Sequence, residues 1–125
     1  MKEKILIIDD SELVLAMAKD ALEQAGYQVL TATNGIEANR FIFSREKPAL
    51  IIMDIMMPML DGNKKAKLLK ENEVSKDIPI LLLSSKSEQE MRQLVAEAGA
   101  DGFILKPFTP NGITAGVQAC LCGGK

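Results

Sequence analysis

The sequence predicts an α/β domain, an open, doubly wound parallel sheet with helices on both faces. Five short runs are almost continuously apolar rather than alternating: ILII at 5–8, YQVLTA at 27–32, ALIIM at 49–53, IPILLL at 78–83 and GFIL at 102–105. That is the pattern of parallel strands covered on both sides. Each gap between the runs is long enough for a crossover helix. The third observation is size, because 125 residues with 47% hydrophobic content make one compact domain around a single sizeable core. Right-handed crossovers complete the fold, and sites in such sheets lie at the carboxyl ends of the strands.

The elements follow in order. After the first strand, Val14, Met17, Ala18, Ala21, Leu22 and Ala25 recur at helical spacing and Gly26 is a stop, so an amphipathic helix is expected with those residues inward. Ile36 to Ser44 reads as a shorter helix, and Pro48 turns the chain back into the third strand. The helix after Gly62 offers only Ala66, Leu68 and Leu69 to a core, with Lys64, Lys65, Lys67 and Lys70 around the rest. Those lysines are either a solvated face or a docking surface for an acidic partner. Ser87 and Glu90 form a capping-box pattern before Met91, Leu94, Val95 and Ala98, and Gly99 ends that helix. Thr109-Pro110 starts the fifth, whose Gly112 and Gly116 each cost about 1 kcal/mol relative to alanine and predict a mobile helix.

Composition excludes several functions. With 15 basic and 17 acidic side chains the net charge is −2, which argues against a general nucleic-acid or anionic-membrane binder. The apolar runs fall far short of the roughly 20 residues of a membrane helix. MKEK is followed by only four apolar residues, so no secretory signal is read and a cytoplasmic location is expected. Cys120 and Cys122 match neither a redox pair nor a zinc knuckle and read as small residues of a terminal helix. Histidine is lacking altogether, which excludes serine–histidine triads, histidine-ligated metals and a phosphohistidine carrier.

The strand ends carry the chemistry. The first ends in Asp9-Asp10, the third in Asp54, the fourth in Ser84-Ser85 and the fifth in Lys106-Pro107. If the first and third strands are neighbours, three carboxylates converge on one lysine, and a divalent cation is the natural remainder. Hard oxygen ligands favour Mg²⁺, which in turn implies a phosphoryl group. Asp54 is then a carboxylate nucleophile toward phosphorus, while Lys106 and the Ser84 hydroxyl offset charge on the phosphoryl oxygens. Taken singly, these residues read as a helix cap, a turn residue and a snorkelling surface charge.

Together, ILIIDDS, IIMDIMMPMLDG, IPILLLSS and GADGFILKPF resemble the receiver domain of bacterial two-component response regulators over residues 3–121, with 122–125 as a flexible tail. The resemblance implies a flavodoxin-like, five-stranded sheet in the order 2-1-3-4-5 with five helices. It makes Asp54 the phospho-acceptor, Asp10 a direct metal ligand, Asp9 a ligand mainly through water and the Met56 carbonyl the last protein ligand. Lys106 would contact the phosphoryl group, with a cis bond to Pro107. Ser84 and Phe103 resemble a switch pair read out on the face of the fourth helix, fifth strand and fifth helix.

The implied function is a switch phosphorylated by a sensor histidine kinase or histidine phosphotransfer protein. It is not an enzyme in its own right, though it assists its own phosphorylation and dephosphorylation. Output is expected through a downstream protein of unknown identity, without direct nucleic-acid contact, or through a longer regulator from which this segment comes. A phosphorylation-dependent dimer is compatible with the sequence. Two departures bear on turnover: Ser85 stands where alanine is common, and Met56 carries no group to position a water, so slow hydrolysis is expected. The competing readings are a phosphorylation-independent binding module, an aspartyl-nucleophile phosphatase, which wants an acid where Met56 stands, and a flavin-binding protein, which wants hydroxyls where Asp9 and Asp10 stand.

Overall fold

The structure is a computed structural model that describes residues 2–57 and 60–123. Pro58 and Met59 of the central motif lie outside them, as do Gly124 and Lys125 of the expected tail. In chain order the elements are β1 (Lys4–Ile8), α1 (Glu12–Gln24), β2 (Gln28–Ala32), α2 (Gly35–Ile42), β3 (Leu50–Asp54), α3 (Gly62–Glu71), β4 (Ile80–Ser84), α4 (Glu88–Ala98), β5 (Gly102–Leu105) and α5 (Pro110–Gly123). Met56–Met57 and Leu60–Asp61 form a short antiparallel pair between β3 and α3. The five strands are all parallel, in the order β2-β1-β3-β4-β5.

The apolar runs are continuous because neighbouring side chains serve different layers. Leu6, Ile8, Ile51, Met53, Ile80 and Leu82 pack beneath α2, α3 and α4. Their alternates Ile5, Ile7, Leu50, Ile52, Leu81 and Leu83 pack with Leu15, Leu22, Ile113 and Val117 of α1 and α5. A residue pointing to either face of a central strand therefore meets a core, which is the physical content of a doubly covered sheet.

Helix boundaries follow local chemistry. The Ser87–Glu90 capping box forms, and Gly99 closes α4 in the left-handed region at φ 71°. Gly26 follows α1 at φ 100°. The Thr109 hydroxyl accepts the Gly112 amide at 2.9 Å, ahead of a helix whose first residue is Pro110.

Several details differ from the sequence reading. The buried stripe of α1 is Leu15, Ala18, Ala21 and Leu22, whereas Met17 is 47% exposed and Ala25 is exposed. The apolar arc of this helix is wide, and packing against both the sheet and α5 selects its Leu15 edge rather than its Met17 edge. In α3 the inward residues are Gly62, Ala66 and Leu69, while Leu68 is 64% exposed. One residue is a turn of about 100°, too much for Leu68 and Leu69 to share an inward face. Tyr27 and Pro79 precede rather than join their strands, because ladder pairing begins at Gln28 and Ile80. Finally, α5 runs to Gly123, two residues past the expected boundary at 121, with Cys122 on the terminal helix as expected.

Candidate functional site

Strand register gathers the polar ends. Ile8 pairs with Met53, so the next residues, Asp9 and Asp54, stand side by side at the edge of the sheet. Asp54 pairs with Leu83, and Ser84 pairs with Leu105, which sets Ser84 and Lys106 at the following step. The Lys106 amide donates to the Ser84 carbonyl at 2.8 Å, continuing the ladder one residue beyond the strand.

Carboxylate oxygens of Asp9, Asp10 and Asp54 lie within 4.8 Å of one another. Asp9 and Asp54 are buried and Asp10 is exposed. Asp9 Oδ1 accepts the Ser11 amide at 2.9 Å, and Asp54 Oδ1 accepts the Met56 amide at 2.9 Å. Ser11 in turn caps α1 by accepting the Val14 amide at 3.2 Å, so the carboxylate is tied to the helix start.

Lys106 serves both buried acids. Its Nζ is 3.2 Å from Asp54 Oδ2 in a hydrogen bond and 2.9 Å from Asp9 Oδ2. The Asp9 contact is the shorter, yet it is not directed as a hydrogen bond, so this buried oxygen is held by charge alone. Burial draws the Lys106 ammonium downward, but the ion pairs with Asp9 and Asp54 outweigh it and leave the pKa raised. The peptide bond from Lys106 to Pro107 is cis.

One ammonium against three clustered carboxylates leaves net negative charge, and a buried oxygen with no directed donor needs a partner. The donors are all hard oxygens, which fits Mg²⁺ rather than a softer metal. Asp9, Asp10 and Asp54 are the side chains able to hold it. Met56 follows two residues after Asp54, with its side chain 61% exposed, and its amide is the group engaged with the aspartate.

Ser84 is buried, and its Oγ accepts the Lys86 amide at 3.2 Å. Phe103 is half-buried and packs on the layer under α2, α3 and α4. It stands opposite Leu82, one diagonal step from Ser84 on the same face of the sheet. The two are thus near neighbours, although they come from different strands.

Two features escaped the sequence reading. A Cβ on Gly62 would sit 2.6 Å from both the Asp54 carbonyl oxygen and the Ile55 Cα, so α3 starts in backbone contact with the end of β3. The signal was available, since Asp61-Gly62 precedes a helix, and Asp61 caps it by accepting the Lys64 amide at 3.1 Å. The second is an apolar cavity of about 270 Å³ beside Lys106, lined by Val14, Met17, Ser85, Pro107 and Phe108. It needs residues from three separate segments, and Met17 had been assigned to the core.

The sequence matches the response regulator receiver domain family over residues 5–118. The chain belongs to that family. This receiver domain is 40% identical over 121 residues to the alkaline phosphatase synthesis transcriptional regulatory protein PhoP of Bacillus subtilis, a match covering 97% of the chain and 49% of PhoP. It is 42% identical over 117 residues to the phosphate regulon transcriptional regulatory protein PhoB of Pseudomonas aeruginosa, covering 94% of the chain and 51% of PhoB. The chain thus spans about half the length of these curated relatives. Among solved structures, chemotaxis response regulator CheY4 of Vibrio cholerae superposes with a TM-score of 0.87 at 33% identity, covering 97% of this chain and all of that one. The expected flavodoxin-like order of strands is therefore observed, in a receiver domain of the two-component response regulators. No helix among the described residues is long and apolar enough to cross a membrane.

Proposed function

We propose that residues 3–121 form a phosphorylation-controlled switch whose acceptor is Asp54. The observation that carries this reading is the convergence of Asp9, Asp10 and Asp54 within 4.8 Å at the sheet edge, with Lys106 in contact with two of them. An Asp54 carboxylate oxygen forms the O–P bond as the N–P bond to a donor imidazole breaks. The electron pair of that bond stays on the imidazole nitrogen, which takes a proton from solvent. A carboxylate nucleophile has no hydroxyl proton to give up, so no histidine base is required.

Mg²⁺ held by Asp9, Asp10 and Asp54, with the Met56 carbonyl, would neutralise charge on the transferring phosphoryl oxygens. Lys106 offers a second positive contact at the same place, and Ser84 a hydroxyl donor. Drawing the Ser84 hydroxyl toward the phosphoryl group takes it from the Lys86 amide and changes the space beside Phe103. Packed interiors hold discrete arrangements, so the ring can move between two positions and alter the α4–β5–α5 face.

The phosphoryl donor is a sensor histidine kinase or phosphotransfer protein, and the apolar cavity by Lys106 gives such a donor a contact next to the acceptor. The domain assists its own phosphorylation and dephosphorylation rather than turning over a substrate. Its setting is cytoplasmic, and its output runs through protein contacts.

The test is intact mass after incubation with Mg²⁺ and acetyl phosphate. A single phosphoryl adduct on wild type, lost in Asp54→Asn and in EDTA, is the expected result. If wild type binds Mg²⁺ but forms no adduct, and beryllium fluoride leaves the amide spectrum unchanged, the protein is a phosphorylation-independent binding module instead.

A further inference from the structure

The phosphorylation chemistry leaves the α2–α3 side of the molecule unused. Leu68 is 64% exposed, Ile36 76% and Phe43 45%. Singly, exposed apolar side chains are ordinary, so their arrangement decides.

In α2 the inward residues are Ala38 and Ile42, which turns Ile36, Arg40 and, at the C-cap, Phe43 outward, at i, i+4 and i+7. In α3 the inward residues are Gly62, Ala66 and Leu69, which turns Lys64, Lys67 and Leu68 outward. Lys65 Nζ donates to Asn39 Oδ1 across the two helices. In α2, Ile36 and Phe43 lie on the shoulder next to Asn39, and in α3, Leu68 lies on the shoulder next to Lys65. The exposed apolar residues therefore flank one seam. At its far end the chain is tied again, by Lys47 Nζ donating to the Val74 carbonyl at 2.8 Å.

The seam is bordered by cations. Arg40 and Lys64 are exposed, and among the described residues neither of them forms an ion pair. The nearby acids offset them only in part. Glu37 accepts from Thr33, Glu73 pairs with Lys76, and Glu71 is left over. On a chain of net charge −2, this is a local reversal of sign around exposed apolar groups.

We propose that this seam docks an acidic amphipathic helix of a partner protein. Ile36, Phe43 and Leu68 receive its apolar face, and Arg40 and Lys64 face its carboxylates. The surface belongs to α2 and α3 rather than to the α4–β5–α5 face, so docking does not depend on the state of Asp54.

The probe is a fluorescein-labelled helical peptide with leucines along one face and glutamates elsewhere, titrated with the whole chain by anisotropy. Binding is expected at low salt and weakens as salt rises. An Arg40→Glu/Lys64→Glu protein weakens it by roughly tenfold, Leu68→Ala by about threefold, and Lys19→Glu on α1 leaves it unchanged. Circular dichroism of each variant checks that the fold is retained, and amide shifts confined to α2 and α3 locate the site. The same binding in Asp54→Asn keeps this result separate from the phosphorylation reading. Each of the following overturns the proposal: no binding of the acidic peptide, equal binding of its lysine counterpart, shifts elsewhere, or α2–α3 shifts seen only with phosphatidylglycerol vesicles or on self-association.

Discussion

Lys106 Nζ stands 2.9 Å from Asp9 Oδ2, inside an ion pair's range but off the line of a hydrogen bond. It is also shared with Asp54, so neither buried acid has a full countercharge of its own.

That sharing sets an alkaline pH dependence. Desolvation alone would lower the lysine, but Asp9 and Asp54 raise it overall above its ordinary value. A raised lysine contributes stability that is fully present below the unfolded pKa, about 10.4, and is lost as pH rises through the folded one. Urea midpoints should therefore fall more steeply as pH rises above about 10 in wild type than in Lys106→Met. Parallel slopes would mean that the ammonium is not coupled to the acids.

Asp54→Asn removes one of three like charges while leaving Lys106 to Asp9. Without divalent cation it should stabilise the fold by about 1 kcal/mol, seen as a higher urea midpoint in EDTA. Wild type should recover on adding Mg²⁺, because a ligand of the native state alone raises its stability, and the variant should respond less. A variant weaker than wild type in EDTA would show that Asp54 is better compensated than the single lysine implies.

The sheet and its polar edge were legible because both depend on pattern alone. Continuous apolar runs mark doubly covered strands, and polar residues at their ends must emerge at one edge once the strands are parallel. Which face of α1 turns inward was not legible, since Val14, Leu15, Met17 and Ala18 are all apolar and only the placement of α5 decides. Leu68 was misread because adjacent leucines look alike until the core-facing phase of α3 is known. The oblique Lys106–Asp9 contact is a matter of angles, and the Gly62 contact arises from how α3 meets β3. Neither is encoded in a periodicity.

Two glycines should respond oppositely to alanine. At Gly62 the added carbon meets backbone at 2.6 Å and cannot be relieved by a rotamer, so a loss of roughly 2 kcal/mol is expected, with slower phosphorylation as Asp54 is displaced. At Gly116 the same carbon meets Ile104 Cγ1 at 3.5 Å, an ordinary contact, and α5 should gain up to about 1 kcal/mol. Chemical denaturation of both variants separates close approach from mere helix propensity.

Phe103 can be made its own reporter because the chain has no tryptophan. In Phe103→Trp, beryllium fluoride with Mg²⁺ should change the emission spectrum. Adding Ser84→Ala should suppress that change while acetyl phosphate still labels Asp54, since in the proposed switch the hydroxyl would link Asp54 to the ring without being the nucleophile. Retention of the full change in the double variant would place the coupling elsewhere.

Hydrolysis of the phosphoryl group tests the residues on its rim. Met56 is exposed two residues beyond Asp54, and its thioether neither donates a hydrogen bond nor accepts one strongly. Met56→Gln would supply an amide able to orient water, and should speed phosphate release on the order of tenfold, below the roughly hundredfold of a true acid–base group. Ser85→Ala checks the alternative control, because Ser85 lines the cavity beside Lys106. If Ser85→Ala changes the rate and Met56→Gln does not, water reaches phosphorus from the Lys106 side rather than over Met56. Phosphate release from the desalted phosphoprotein distinguishes the two routes.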